Sequence, residues 1–225
     1  DRDYAGDPAA AAADEAEIAY LCNAASAYFA EPVRPDDVVW AFAGVRPLFA
    51  KHESRAQEIS RDYELRSDGT PPVIHVFGGK LTTYRRLAEA ALKHIEAALG
   101  RRGPRWTATA RLPGGDFAME GLAELATDIA ARYPWLAPEE ARRLARLYGT
   151  EADLVLDAAQ GPDDLGRAFG GGLSEAEVRH LVDREWAQTG EDILWRRTKL
   201  GLRLSPEEAA ALDAFVRDLT EEERE

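Results

Sequence analysis

The sequence predicts an α+β chain: a short antiparallel sheet plus helices over residues 1–103, then an all-α part over 104–225. Three observations predict it. Val73-Ile74-His75-Val76-Phe77 is a β-branched and aromatic run between Pro71-Pro72 and Gly78-Gly79, which reads as a short buried strand. Ile59 to Leu65 alternates before it, and the turn signal Ser67-Asp68-Gly69-Thr70 joins the two as an antiparallel hairpin. From about residue 117 onward the apolar spacing is helical almost throughout.

Each element follows in order. Residues 1–13 read as a loop, with Gly6 and Pro8. Asp14 and Glu17 form a capping box for a helix whose stripe is Ile18, Leu21, Cys22, Ala25, Tyr28 and Phe29, ended by Pro32 and Pro35. Val38-Val39-Trp40-Ala41-Phe42-Ala43 is apolar on both faces, as an interior strand is. In the Ile59–Leu65 strand, Ile59, Arg61, Tyr63 and Leu65 share one face, and Ser60, Asp62 and Glu64 the other. After the Gly-Gly turn, Tyr84, Leu87, Ala88, Ala91, Leu92, Ile95, Ala98 and Leu99 recur at helical spacing, and Gly100 is a stop.

Arg101 to Arg105 is a linker candidate, and Leu112-Pro113-Gly114-Gly115-Asp116 a second loop. Leu122, Leu125, Ile129 and Tyr133 line one helix; Pro138 opens the next and Gly149 follows its end. A short helix is expected near 151–159 and a loop with five glycines over 161–172. Ser174 and Glu177 read as the capping box of a helix carrying Val178, Leu181, Val182 and Trp186. A helix near 191–200 carries Trp195-Arg196-Arg197, whose cations read as salt-bridge partners. Ser205, Pro206 and Glu208 start the last helix, and Glu221 to Glu225 should fray.

Composition narrows the function classes. A net charge of −13 gives no basic footprint for nucleic acid. Cys22, the single cysteine, precludes an intrachain disulfide and sits inside an apolar stripe, so it reads as a buried inert thiol. The longest apolar run, Val38 to Val45, is too short to span a bilayer. The four histidines show no metal-ligand spacing; His75 and His94 read as packing residues. No signal-peptide pattern or initiator Met opens the chain, which reads as a fragment or a processed product.

Three places carry chemistry. Gly78 and Gly79 let a ligand approach the backbone, the helix start offers free N–H groups, and Lys80 adds a charge. This suits an anionic or electron-rich group; the other reading is a tight turn with a solvated lysine. Arg61 is the one charged residue on an apolar strand face, so it needs an internal carboxylate or a bound phosphate. Arg46 lies between Val45 and Pro47 after a predicted buried strand, either at the mouth of a pocket or turned to solvent.

These residues together resemble the FAD-dependent, quinone-linked glycerol-3-phosphate dehydrogenase family. The motifs are Gly44-Val45-Arg46-Pro47-Leu48, Ser60-Arg61-Asp62-Tyr63, Gly78-Gly79-Lys80-Leu81-Thr82-Thr83-Tyr84-Arg85, and Asp183-Arg184-Glu185-Trp186 with Leu194-Trp195-Arg196-Arg197-Thr198-Lys199. The resemblance implies oxidation of sn-glycerol 3-phosphate to dihydroxyacetone phosphate, with hydride passing to FAD and electrons to quinone. It places Arg46 and Arg61 as substrate-binding residues, and Gly78, Gly79, Lys80, Leu81 and Thr82 at the flavin ring, where Lys80 and the helix start would stabilise the reduced flavin. It makes residues 1–103 the C-terminal part of an FAD/substrate-binding domain, and 104–225 the family's all-α C-terminal domain.

The family's Gly-x-Gly-x-x-Gly turn for the FAD pyrophosphate is absent from these 225 residues, and Gly170-Gly171-Gly172 lacks its spacing. The catalytic base is expected in an N-terminal part not contained here. The chain alone is therefore expected to hold about half of an active site, to bind FAD poorly and to turn over nothing. A cytoplasmic location, peripheral on the cytoplasmic face of the inner membrane, follows by analogy only. The acceptor (quinone or oxygen) and the oligomeric state, a homodimer among the options, stay open. Two other readings are a helical interaction module with inert Arg46, Arg61 and Lys80, and a phosphate-ligand binder without redox chemistry.

Overall fold

The structure is a computed structural model, and it describes residues 2–46, 62–101 and 103–222. The chain divides into two units, 1–110 and 111–225.

In the first unit α1 spans Glu15–Ser26. Its capping box forms as the sequence predicts: Glu17 N–H donates to Asp14 Oδ1 at 2.7 Å, and Asp14 N–H to Glu17 Oε2 at 3.1 Å. Ser26 Oγ then ties the chain back, donating to the Cys22 carbonyl and accepting from Val33 N–H at 2.9 Å. The helix ends there, short of the two prolines, and its expected stripe is largely exposed. Only Cys22 is buried, whereas Leu21, Tyr28 and Phe29 face solvent. Cys22 is a free, buried thiol, as expected.

The expected interior strand at Val38–Ala43 does not form. Val39 and Phe42 are exposed, and Trp40 stacks on Phe42 at 4.9 Å between ring centroids. A strand exists only where a neighbour completes its ladder. Among the described residues of this unit the only sheet is a two-stranded one formed elsewhere.

That sheet is the predicted antiparallel hairpin with its turn shifted: β1 is Tyr63–Asp68 and β2 Val73–Gly78, so Ser67 and Asp68, expected in the turn, pair with Ile74 and Val73, and the turn lies at residues 69–72. Tyr63 pairs with Gly78, which puts the start of β1 beside the Gly-Gly turn. Ile59, Ser60 and Arg61 lie outside the described residues. Helix α2, Tyr84–Leu99, follows a 3-10 turn at Leu81–Thr83 and stops at Gly100. It meets the hairpin through Tyr63, whose hydroxyl donates to the Arg86 carbonyl, and through Ser67, whose hydroxyl is 2.7 Å from His94 Nδ1. His75 sits 3.2 Å from Asp68. β2 is not the buried strand that its composition suggests: Val73 and Val76 are about half exposed. One hairpin under one helix leaves most apolar side chains without a second layer. Cys22 is the single buried residue among those described in this unit.

The second unit holds the core. α3 is Leu122–Arg132, α4 Pro138–Tyr148, α5 Ala152–Leu156, α6 Glu175–Glu185 and α7 Pro206–Glu222. Ile129, Leu144, Leu156, Val178, Leu181, Ile193, Leu212 and Val216 pack at its centre. Pro138 opens α4 and Gly149 closes it, as predicted. Gly149 has φ +58°, and a Cβ there would lie within 1.9 Å of the Gly114 carbonyl oxygen. Thr150 N–H donates to that same oxygen at 2.9 Å, so the second predicted loop is sewn onto the end of α4.

Three details differ from expectation. The glycine-rich loop carries a small hairpin, β3 (Ala168–Gly170) with β4 (Leu173–Ser174). The segment near 191–200 is a π-helix at Asp192–Arg197, because Thr198 N–H and hydroxyl both reach the Ile193 carbonyl. Ser174 caps α6 by accepting from Glu177 N–H, but the Glu177 side chain turns into the core instead of closing the box. At α7 the box is complete: Glu208 N–H donates to Ser205 Oγ and Ser205 N–H to Glu208 Oε2. Ser205→Ala is expected to cost about 1 kcal/mol in a denaturant titration; an unchanged midpoint would show that the cap contributes nothing.

Candidate functional site

The Gly-Gly turn is built as its chemistry requires. Gly78 and Gly79 have φ of +67° and +94°, backbone that only glycine adopts without strain. A Cβ at Gly79 would touch only Tyr63 Cβ, at 3.4 Å, so the turn packs against the start of β1. Lys80 then enters the 3-10 turn. The Thr83 hydroxyl donates to the Lys80 carbonyl at 2.8 Å, and Thr83 N–H donates to it at 2.9 Å. The first N–H groups of the turn, at Leu81 and Thr82, have no intrahelical acceptor by position. Leu81 and Thr82 are exposed.

Charge is distributed unequally around this turn. Arg85 pairs with Glu89 at 3.1 Å, and the Thr107 hydroxyl also reaches Glu89. The hydroxyl first, and Arg85 after it, hold the Glu89 carboxyl below its usual range. Lys80 is exposed, and its ammonium makes no ion pair or hydrogen bond among the described residues. Half-buried Gly78 and Gly79 with exposed Lys80, Leu81 and Thr82 therefore bring together two glycines, helix-start donors and an available cation. That donor set fits the electron-rich edge of a flavin ring.

The two predicted arginines stand differently. Arg46 is exposed on a segment without regular structure, so the buried strand expected before it is absent. Arg61 lies outside the described residues. Among the described residues no cluster of His, Cys, Asp and Glu could hold a metal ion.

A polar cluster that sequence reading did not reveal lies in the second unit. Arg143 Nη1 and Nη2 donate to the two oxygens of Glu177, each at 2.7 Å, and its Nε donates to Glu140 at 2.7 Å. Its Nη2 also donates to the Gly172 carbonyl. The Tyr148 hydroxyl donates to Glu177 Oε1 at 2.7 Å, and His180 meets the Tyr148 ring edge-on. Glu177 is 1% exposed. Burial works against the Arg143 charge, but Glu177 and Glu140 outweigh it and hold its pKa above the usual value. Burial, then the Glu177 charge, pushes the Tyr148 phenol up, so it remains a donor. The spacing gave no signal for it: Arg143 and Tyr148 are five residues apart on α4 and do not share a helix face, and Glu177 lies 34 residues beyond Arg143.

Comparison with known proteins follows this division. Residues 105–223, just over half of the chain, match the family model described as the C-terminal domain of alpha-glycerophosphate oxidase. The chain belongs to that family. It is 47% identical over 96% of its length to a glycerol-3-phosphate dehydrogenase of Pseudomonas aeruginosa, covering 43% of that protein. It is 41% identical over 99% of its length to the aerobic glycerol-3-phosphate dehydrogenase of Escherichia coli, covering 45% of it. A D-erythritol 1-phosphate dehydrogenase of Brucella abortus is 44% identical over 92% of the chain. The chain thus spans less than half the length of the curated relatives it matches. Among solved structures it resembles the glycerol-3-phosphate dehydrogenase from Bacillus halodurans complexed with FAD, with TM-score 0.62 and 26% identity. That likeness covers 88% of this chain and 38% of the other. It extends well before residue 105, so this member of the alpha-glycerophosphate oxidase C-terminal family carries the Gly-Gly turn along with the helical domain.

Proposed function

We propose that the chain is the C-terminal portion of an FAD-dependent glycerol-3-phosphate dehydrogenase that yields dihydroxyacetone phosphate and hands its electrons to quinone. The observation that carries this reading is the Gly78–Thr82 turn with its available Lys80 charge, in a chain similar over nearly its whole length to such dehydrogenases. That only Cys22 is buried among the described residues of the first unit supports the same reading, because exposed Leu21, Phe29, Val39 and Phe42 need a further layer. Alone, the chain is expected to bind FAD weakly and to be inactive. We place it in the cytoplasm, in peripheral contact with the membrane; no helix among the described residues is long and apolar enough to cross one.

FAD, when bound, supplies the acceptor for the hydride from the substrate carbinol carbon. The chain's own residues act around it. Gly78 and Gly79 would let the backbone come close to the ring, and the Leu81 and Thr82 N–H groups, without intrahelical acceptors, would be its donors. Lys80 and the helix start would supply positive charge to stabilise the reduced ring. Arg46 and Arg61 bind the substrate phosphate, which an arginine fork suits.

Lys80→Ala in the longer protein is expected to make the flavin potential more negative by about 20–40 mV, the equivalent of roughly 1–2 kcal/mol. A spectroelectrochemical titration checks this, and an unaltered potential with full flavin occupancy would remove Lys80 from the ring. A second reading, D-erythritol 1-phosphate as substrate, is favoured by the 44% identical relative. Comparing kcat/KM for the two phosphates separates them. Oxygen as acceptor is separated from quinone by peroxide yield.

A further inference from the structure

The second unit contains a cavity of about 240 Å³ that the flavin reading does not use. Its walls are Trp135, Leu144, Val155, Leu165 and Leu173, from the segment between α3 and α4, from α4 and α5, from the loop before β3 and from β4. Its polar end is Glu140, Arg143 and Glu177. A cavity of this size holds a molecule somewhat larger than benzene. Walls this apolar give several waters too few partners to be well ordered. An apolar ligand body would recover dispersion contacts that an empty space forgoes.

Charge then selects the head group. Two carboxylates face one guanidinium at the polar end, a surplus of one negative charge. Arg143 is engaged with both carboxylates and with the Gly172 carbonyl. Glu177 accepts from Arg143 twice and from Tyr148. Glu140 uses Oε2 for Arg143, and its Oε1 accepts from no group among the described residues. The chain as a whole carries −13. We propose that this cavity is a binding site for a small organic ammonium, with an aromatic or branched aliphatic body among the apolar walls and its cation on Glu140. The site is independent of the flavin reading, since it lies wholly in the helical unit.

The test uses the 225-residue chain and three probes of one shape: 2-phenylethylamine, ethylbenzene and phenylacetate. In calorimetric titration the amine is expected to bind one site per chain with Kd of about 0.1–1 mM, in keeping with its few heavy atoms. It should bind about tenfold more tightly than phenylacetate. Glu140→Gln, which keeps the acceptor for Arg143, should weaken the amine about fivefold. Leu165→Trp, which adds bulk to the wall, should abolish binding of the amine and of ethylbenzene. Far-UV circular dichroism confirms that each variant is folded, and the wild-type comparison decides even if one is not. No saturable amine binding, equal binding of phenylacetate, an unchanged Glu140→Gln affinity or undiminished binding to folded Leu165→Trp would each overturn the proposal.

Discussion

Glu177→Ala is expected to destabilise the chain by about 3–5 kcal/mol, because it takes the two-pronged partner from the largely buried Arg143 guanidinium, leaving it the Glu140 carboxylate alone, and removes the acceptor of the buried Tyr148 hydroxyl. In the native structure Glu177 is 1% exposed and accepts from Arg143 through both oxygens and from Tyr148. These groups join α4 to α6, so the loss acts on the packing of two helices. The thermal midpoint should fall on the order of 10–20 °C for a unit of this size. Tyr148→Phe should cost less, about 1–3 kcal/mol, since it leaves the ion pair intact and removes one donor. Near-UV circular dichroism, reporting on Trp135 and Trp195, follows the unit that has a core. A midpoint within a degree or two of wild type for Glu177→Ala would mean that the cluster contributes no net stability.

Arg61→Ala, in the longer protein, is expected to raise KM for glycerol 3-phosphate about 30- to 150-fold, the equivalent of roughly 2–3 kcal/mol for a lost charged hydrogen bond to phosphate. Flavin content should hardly change, because Arg61 is assigned to the substrate and not to the ring. Steady-state kinetics beside the visible spectrum separates the two effects. Unchanged KM would give Arg61 the other role that the sequence leaves open to it, an internal salt bridge. A loss of flavin in proportion to activity would place it at the cofactor.

Much of the helical unit was legible in the sequence. Pro138 and Gly149 bracket α4, Ser205 with Glu208 starts α7, and both work through local chemistry that needs no distant partner. The hairpin was legible too, because its turn and its alternation lie within 20 residues of one another. The misses share a cause. Leu21, Phe29 and Val38 to Ala43 have the composition of a core, but burial depends on what lies against them, and the described chain offers no second layer there. Glu177 fitted a surface capping box by spacing; its burial is decided by Arg143, 34 residues away. The π-helix at Asp192–Arg197 turns on which carbonyl Thr198 reaches, one residue beyond helical register. At the candidate site, Gly78 to Thr82 could be read because backbone geometry and one charge make the surface. The place of Arg46 depends on neighbours that spacing does not reveal.

In the proposed function Gly78 to Thr82 face a flavin that glycerol 3-phosphate reduces. The most direct measurement is the visible absorption spectrum of the longer protein, purified anaerobically, before and after adding glycerol 3-phosphate. The expected result is an oxidised flavin band that bleaches on addition of the substrate and returns with a quinone analogue. A protein that shows no flavin band, even after reconstitution with FAD, or a band that the substrate leaves unchanged, would contradict it.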